Sequence, residues 1–488
     1  MDCKTKRLSL EDKVSKSHPA RLDVAVKALL VILFSILWAI WMQPHTIGLR
    51  HALLSFGSIL GLYVVSQNFH LLKTKSALPI YLIGVLLVWI SFHLLFLSHQ
   101  YDLQLAEYLT IWKRIIWGAP FAIGLGIVMH SVGEGQSSRF NLDGNQNQMN
   151  ISYFWWIFYI GMAMPTFIYL LRAALMFMAD KLNLLLPEFA VNLYPPSTWY
   201  IPKTSYVFFC LPILAVACSK LICLAEKRMK PPPNLFLHIL FFTSVIISVL
   251  FVFYCENIKN GIAYSIMLIA VFLIKLFLLK KLPWGWRDGL ATFMAIALLI
   301  FLLALHVKKN DSWRTLVADI KVSESVEQVD SWKYDGEKGY PKNELGKQVF
   351  GTNYERASWA RVALKFIGEL PMGYGLVHGS FGKFAQEKWP DSRLTQSHSG
   401  WLDLTLGIGV PGIFLLVLAG VIGAKNASKV MSPFWNTPIL WLISSIALLM
   451  ITTEVSQRVY VEALIFLILW MSGLGLHRSS GVRLEVKR

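Results

Sequence analysis

The chain has 488 residues, 55% of them hydrophobic and only 15% charged, with a formal net charge of +17. A mean hydropathy of +0.52 excludes a soluble globular enzyme of this length. No basic–aromatic module accompanies the positive charge, which argues against nucleic-acid binding and for a protein lying in anionic lipid.

A basic tail, residues 1–23, leads into the first apolar run. That run is long and shows no small-x-small cleavage site, so it reads as an uncleaved anchor. Apolar runs able to cross a hydrocarbon core of about 30 Å then recur to the end of the chain. They predict an all-α polytopic membrane protein of about 12 transmembrane helices, at 24–42, 50–67, 78–97, 114–130, 152–175, 205–225, 234–254, 262–279, 287–306, 401–423, 436–454 and 460–476. Residues 24–306 thus carry helices one to nine, 307–400 a long loop and 401–476 the last three helices, with 477–488 as a second tail. Lys113 and Arg114 crowd the start of the fourth run.

Basic residues orient the bundle. With the N-terminus in the cytoplasm, the inner loops and tails hold 21 of these lysines and arginines and the short outer loops seven. The opposite orientation violates the positive-inside rule at nearly every loop. The expectation is a bacterial inner-membrane protein with both termini cytoplasmic. The polar stretch 131–151 reads as a cytoplasmic connector, and the proline- and aromatic-rich 176–204 as an interfacial rim. Cys210, Cys218 and Cys223 share one run, and no CxxC or Cys/His spacing predicts a metal site or a disulfide in the long loop.

The loop 307–400 is the anomaly, because an outer loop of this length is either functional or disordered. Trp313, Leu316, Val317 and Ile320 predict one amphipathic helix, and Trp359, Val362, Ala363 and Phe366 mark one face of a second over Tyr354 to Leu370. Pro371-Met372-Gly373-Tyr374-Gly375 then makes a turn, followed by a short segment Phe381–Trp389. The Gly-x-Gly is no nucleotide loop, since no strand precedes it and no Gly-Lys-Ser/Thr follows. It predicts instead a sharp turn bringing backbone close to a neighbour, substrate phosphates being one candidate.

Ser397-His398-Ser399-Gly400-Trp401-Leu402-Asp403 is the most informative stretch. It marks the point where this loop re-enters the membrane. Ser397 and Ser399 are suitable N-cap residues and Asp403 lies near the first turn. A helix start attracts phosphate and disfavours imidazolium, so His398 there suits a neutral proton acceptor. The bland alternative is a polar residue anchored at the interface.

Tyr354-Glu355-Arg356-Ala357-Ser358-Trp359, Leu370-Pro371-Met372-Gly373-Tyr374-Gly375, the serine–histidine stretch and Gly407-Ile408-Gly409-Val410-Pro411-Gly412 together resemble the O-antigen ligase/polymerase superfamily. The motifs cover about 350–415, and the helix plan resembles that family along the whole chain. The resemblance implies a GT-C-like membrane glycosyltransferase moving a glycan from undecaprenyl diphosphate to an acceptor hydroxyl on the periplasmic face. Acceptors in the family are lipid A-core for ligases, another lipid-linked repeat for polymerases, and protein serine or threonine for other relatives. It implies that His398 activates or positions the acceptor and that Arg356 grips diphosphate. Lys259, in Cys255-Glu256-Asn257-Ile258-Lys259-Asn260-Gly261, stands where the family has a second arginine.

The chemistry of such a transfer agrees with these residue types. A lipid diphosphate is already an activated leaving group, so no nucleotide, redox cofactor or metal is needed. Positive charge at the diphosphate and a base near the attacking hydroxyl are. Further candidates are Arg172, a charge inside the fifth run that can alternatively snorkel outward, and Arg458, which can instead pair with Glu454. Arg361 can face solvent, His378 is a second possible base, and Tyr374 can stack on sugar or pack in the loop. The rival from another class is a 12-helix secondary transporter, against which stand the late outer loop and basic residues near the outer face rather than the bilayer midplane.

Overall fold

The computed structural model describes residues 24–139, 153–191, 194–225, 234–278, 301, 304–305, 307–308, 311–430, 433–453 and 458–477. Among these, helices dominate and the only β-pairing is an isolated bridge between Lys342 and Gln348. Eight helices are long and apolar enough to cross a membrane: α2 (Ile47–Gln67), α3 (Lys75–Phe96), α4 (Tyr101–Val132), α5 (Tyr153–Leu182), α6 (Lys203–Ala225), α7 (Leu235–Cys255), α8 (Lys259–Leu278) and α12 (Gly400–Lys429). The shorter apolar helices α1 (Val24–Ile40), α13 (Pro433–Leu449) and α14 (Arg458–Leu474) occupy the first, eleventh and twelfth predicted positions. The ninth predicted run, 287–306, lies almost wholly outside the described residues.

The fourth run departs from expectation in its start. α4 begins at Tyr101, well before Lys113, and passes through a π turn at Tyr108–Trp112. Arg114, at the start of the predicted run, lies inside the helix and forms an ion pair with Glu462 of α14 at 2.7 Å. A charge at this depth persists because it is paired.

Two helices form the heart of the bundle. α6 is apolar on every side and buried along almost its whole length, and α14 is buried from Tyr460 to Leu474. That is what an all-round apolar helix requires, since it has no polar face to turn outward. α6 packs on α7, α8 and α13, while α14 packs on α4 and α12. The cysteines of α6 (Cys210, Cys218, Cys223) are buried and outside any disulfide, as small apolar fillers.

Residues 311–399 form a partly helical cap on one end of this bundle. It contains α9 (Leu316–Val322), α10 (Gly351–Glu369) and α11 (Ser380–Lys388), close to the predicted segments. The cap has its own apolar core around Trp332, Tyr354, Trp359, Val362, Phe366 and Phe381, joined to the bundle through Leu406 of α12. Its polar keystone is the fully buried Asp319. This carboxylate accepts from Thr315 Oγ1 (2.7 Å), Asn343 Nδ2 (2.9 Å), Asn353 Nδ2 (3.0 Å) and the Phe350 amide (3.3 Å). A buried carboxylate is tolerated only when so satisfied, and here it ties α9 to α10 and to the intervening loop.

α12 is broken near its start. Gly409 has φ 74° and ψ 169°, outside the helical region, so the element is two helical pieces joined at a kink. The break leaves carbonyls without intrahelical partners, and the 371–375 turn supplies them. Tyr374 N–H donates to Leu406 O (2.7 Å), Gly375 N–H to Gly407 O (3.0 Å), and Val410 N–H to Pro371 O (2.8 Å). Trp89 Nε1 of α3 donates to Ile408 O at 2.7 Å. The approach is so close that a Cβ on Gly373 would lie 2.5 Å from Gly409 N, and one on Gly409 would lie 2.2 Å from Met372 O. The Gly-x-Gly therefore makes the expected sharp turn, and the neighbour its backbone approaches is this helix break.

Candidate active site

Under the cap lies a cavity of about 390 Å³. Its walls come from five places: Lys259, Asn260 and Tyr264 at the start of α8; Ser312, Trp313, Leu316 and Ile320 around α9; Asn353, Arg356 and Ala360 on α10; Ser397, His398 and Ser399 before α12; and Thr452 after α13, which closes the ring. The start of α8, the start of α12 and the end of α13 meet at the same end of the bundle. Among the described residues lining it, no carboxylate appears. Lys259 and Arg356 are close enough for one charge to act on the other. Two cations converging on a cavity without an acid have the chemistry to hold a multiply charged anion.

Arg356 reaches the cavity because of helical spacing. Asn353, Arg356, Ala357 and Ala360 follow the i, i+3, i+4, i+7 pattern and present one face of α10 to the space. The residues between, Tyr354, Ser358, Trp359, Val362 and Phe366, turn into the cap core. The small side chains at 357 and 360 leave room where the arginine needs it.

His398 sits in the left-handed region, with φ 57°, a conformation a non-glycine residue keeps only where its surroundings demand it. The local chain explains it. The Ser397 amide donates to Asp403 Oδ1 at 2.8 Å, and the Asp403 amide donates back to Ser399 O at 2.8 Å. Asp403 thus holds the chain in a tight turn at the helix start, together with the Ser397 hydroxyl, which accepts from the Ser399 amide at 3.3 Å. The imidazole is half-buried and stacks on Trp359, ring centroids 5.1 Å apart and planes 20° from parallel. Trp359 is itself locked by Nε1 donating to Trp332 O at 2.9 Å. His398 is held from one side by a fixed indole and open to the cavity on another.

Glu355, one turn before Trp359, is buried and accepts from the Tyr340 hydroxyl at 2.9 Å. Burial, helped by the nearby Asp335 charge, pushes its carboxyl above the usual carboxylate range, against the opposing Tyr340 hydrogen bond.

The remaining candidates lie elsewhere. Arg172 is buried in α5 and donates through Nη2 to Trp199 O at 3.3 Å, beside a cluster containing Tyr206, and is not among the cavity-lining residues. Arg361 projects from the outer side of α10, donating to Ser323 Oγ at 3.2 Å and pairing with Glu324 at 3.6 Å. Tyr374 is buried in the turn. Its hydroxyl sits between Gln100 Nε2 (2.7 Å) and Glu387 Oε1 (2.5 Å), and its ring stacks on His99. His378 is exposed, with its amide donating to Glu107 Oε1 at 2.9 Å. Arg458 is the exposed first residue of α14, and the partner expected for it, Glu454, lies outside the described residues. Sequence reasoning missed Ser312, Asn353, Tyr264 and Thr452 as wall residues. Only Asn353 carried a signal, three positions before Arg356.

Residues 249–417 match the family model described as O-Antigen ligase. No curated protein and no solved structure matches the chain. The matched stretch runs from α7 to α12 and contains Lys259, Arg356 and His398 together with the whole cap. The likeness to the O-antigen ligase superfamily thus rests on this stretch of the chain.

Proposed function

We propose that this protein is a periplasmic-face glycosyltransferase that moves a glycan from undecaprenyl diphosphate to an acceptor hydroxyl, acting as an O-antigen ligase on lipid A-core. The observation that carries this reading is the convergence of Arg356, Lys259 and His398 on one cavity between the cap and the helix ends. In this reading the two cations hold the diphosphate and gain strength as negative charge builds on the departing oxygen. His398, with its ring fixed against Trp359, accepts or orients the proton of the attacking hydroxyl. The bond broken is sugar C1 to phosphate oxygen and the bond formed is sugar C1 to the acceptor oxygen. The acceptor's proton passes to the histidine and the electron pair leaves with undecaprenyl diphosphate.

Orientation and chemistry are tested separately. A cysteine at Ser325, in the cap, should react with an impermeant thiol reagent in intact spheroplasts; labelling only after lysis would put the cavity on the wrong side of the membrane. Purified protein supplied with an undecaprenyl-diphosphate glycan and lipid A-core should release undecaprenyl diphosphate and yield capped core. Elongated donor without capped core would make it a polymerase, and transfer only to serine or threonine peptides a protein glycosyltransferase. Movement of the glycan across sealed vesicles with every linkage unchanged would sink the enzyme reading in favour of a transporter.

A further inference from the structure

The cavity lysine is not a bare point charge. Lys259 Nζ donates to Ser312 Oγ, a residue of the cap just before α9. The main-chain carbonyl of that same serine accepts from Asn353 Nδ2 at 2.7 Å, and the other contact of this amide is to Asp319 Oδ2 at 3.0 Å. Asp319 is fully buried and fixed by four donors. A continuous hydrogen-bonded chain thus runs from the keystone of the cap, through Asn353 and Ser312, to the ammonium of Lys259. Asn353 lies one turn before Arg356 on the same face of α10, so a single anchored element sets both cavity cations.

A lysine has a flexible stem and three rotatable donors, whereas an arginine carries a rigid planar fork. A lone lysine must surrender much rotamer freedom to hold one position against an anion. A hydroxyl accepting one of its three donors removes part of that cost and leaves two donors for the ligand. We infer that Ser312, held by Asn353 and Asp319, is a positioning residue that aims the Lys259 ammonium at the donor diphosphate, so that serine and lysine together do what a planar fork does alone. This rests on the proposed reading of the cavity as the diphosphate site.

The test is binding of undecaprenyl diphosphate, and of undecaprenol as the uncharged control, to the purified full-length protein in detergent. Ser312→Ala, Lys259→Ala, their double variant and Arg356→Ala are compared with the unaltered chain. Ser312→Ala should weaken diphosphate binding about tenfold, as expected for loss of one hydrogen bond to a charged group, and should leave undecaprenol unaffected. Ser312→Thr should restore most of the loss, since a hydroxyl remains. In the Lys259→Ala background, removing the serine hydroxyl should cost nothing more, because it has no ammonium left to aim. Losses that multiply in the double variant, or a Ser312→Ala protein that binds as tightly as the parent, overturn the positioning role. If Arg356→Ala also binds unchanged, the diphosphate reading of the cavity falls with it. If Arg356→Ala binds weakly while Ser312→Ala does not, only the role of Ser312 is lost.

Discussion

Two parts of the matched family stretch use glycines and polar residues for opposite ends. At 371–375 and 407–410, glycines with positive φ let two backbones interlock, and every hydrogen bond named there is satisfied inside the protein. At 353–360 and 397–399, small and polar side chains instead leave a cavity open, with two cations and an imidazole facing it. The first region is a joint and the second the proposed receptor. The difference lies in what the polar groups face: the interlocked backbones bond to each other, whereas Arg356, Lys259 and His398 line a cavity.

Substitutions should separate the two by what they spoil, and the largest effect is expected at His398. Removing a positioned general base costs about 10²–10⁴-fold in rate, so His398→Ala should lose nearly all transfer while its thermal unfolding stays close to the parent's. His398→Gln keeps hydrogen bonding without taking a proton. Recovery of most activity by glutamine would leave the histidine as an orienting group only.

Arg356→Ala should come next, with transfer abolished at normal expression, and Arg356→Lys recovering only part because an ammonium lacks the paired donors. Steady-state kinetics against donor concentration would show it, and a fully active Arg356→Ala protein would remove the residue from the receptor.

At the joint the expected loss is stability. Gly409→Ala meets Met372 O at 2.2 Å and places a side chain at φ 74°, an overpacking cost of about 1–3 kcal/mol. A lowered unfolding temperature is expected, with the surviving folded fraction still binding donor. A variant as stable as the parent but inactive would mean that the joint takes part in catalysis, which would erase the distinction.

The smallest effect is expected on the outer side of the receptor's own helix. Arg361 is five residues from Arg356 but pairs with Glu324 in solvent, and exposed pairs contribute about 0–1 kcal/mol. Arg361→Ala should change neither donor affinity nor rate by more than a few-fold in the same assay.

Much of this was legible in the residues. Apolar run length marked eleven of the twelve predicted helix positions within the described residues, because crossing a hydrocarbon layer imposes a length and a composition that local sequence must obey. The cap's helices were readable for a similar reason: the 3.6-residue period of Trp359, Val362, Ala363 and Phe366 reports one buried face. His398, Arg356 and Lys259 could be singled out by residue type and motif, as could the sharp turn at 373–375. Their meeting could not. Lys259 and Ser312 are 53 positions apart, and Lys259 and His398 far more, so only the packing of α8, the cap and α12 brings them to one cavity. Nor could the chain's order show that Gly-x-Gly docks on a broken helix, or that Arg172 and Arg361 are not among the residues lining that cavity. Local sequence determines which stretches are buried and in what conformation, through short-range sterics and the transfer of apolar surface. Which charges face one another is decided by long-range contacts between elements, and those exist only in the folded molecule.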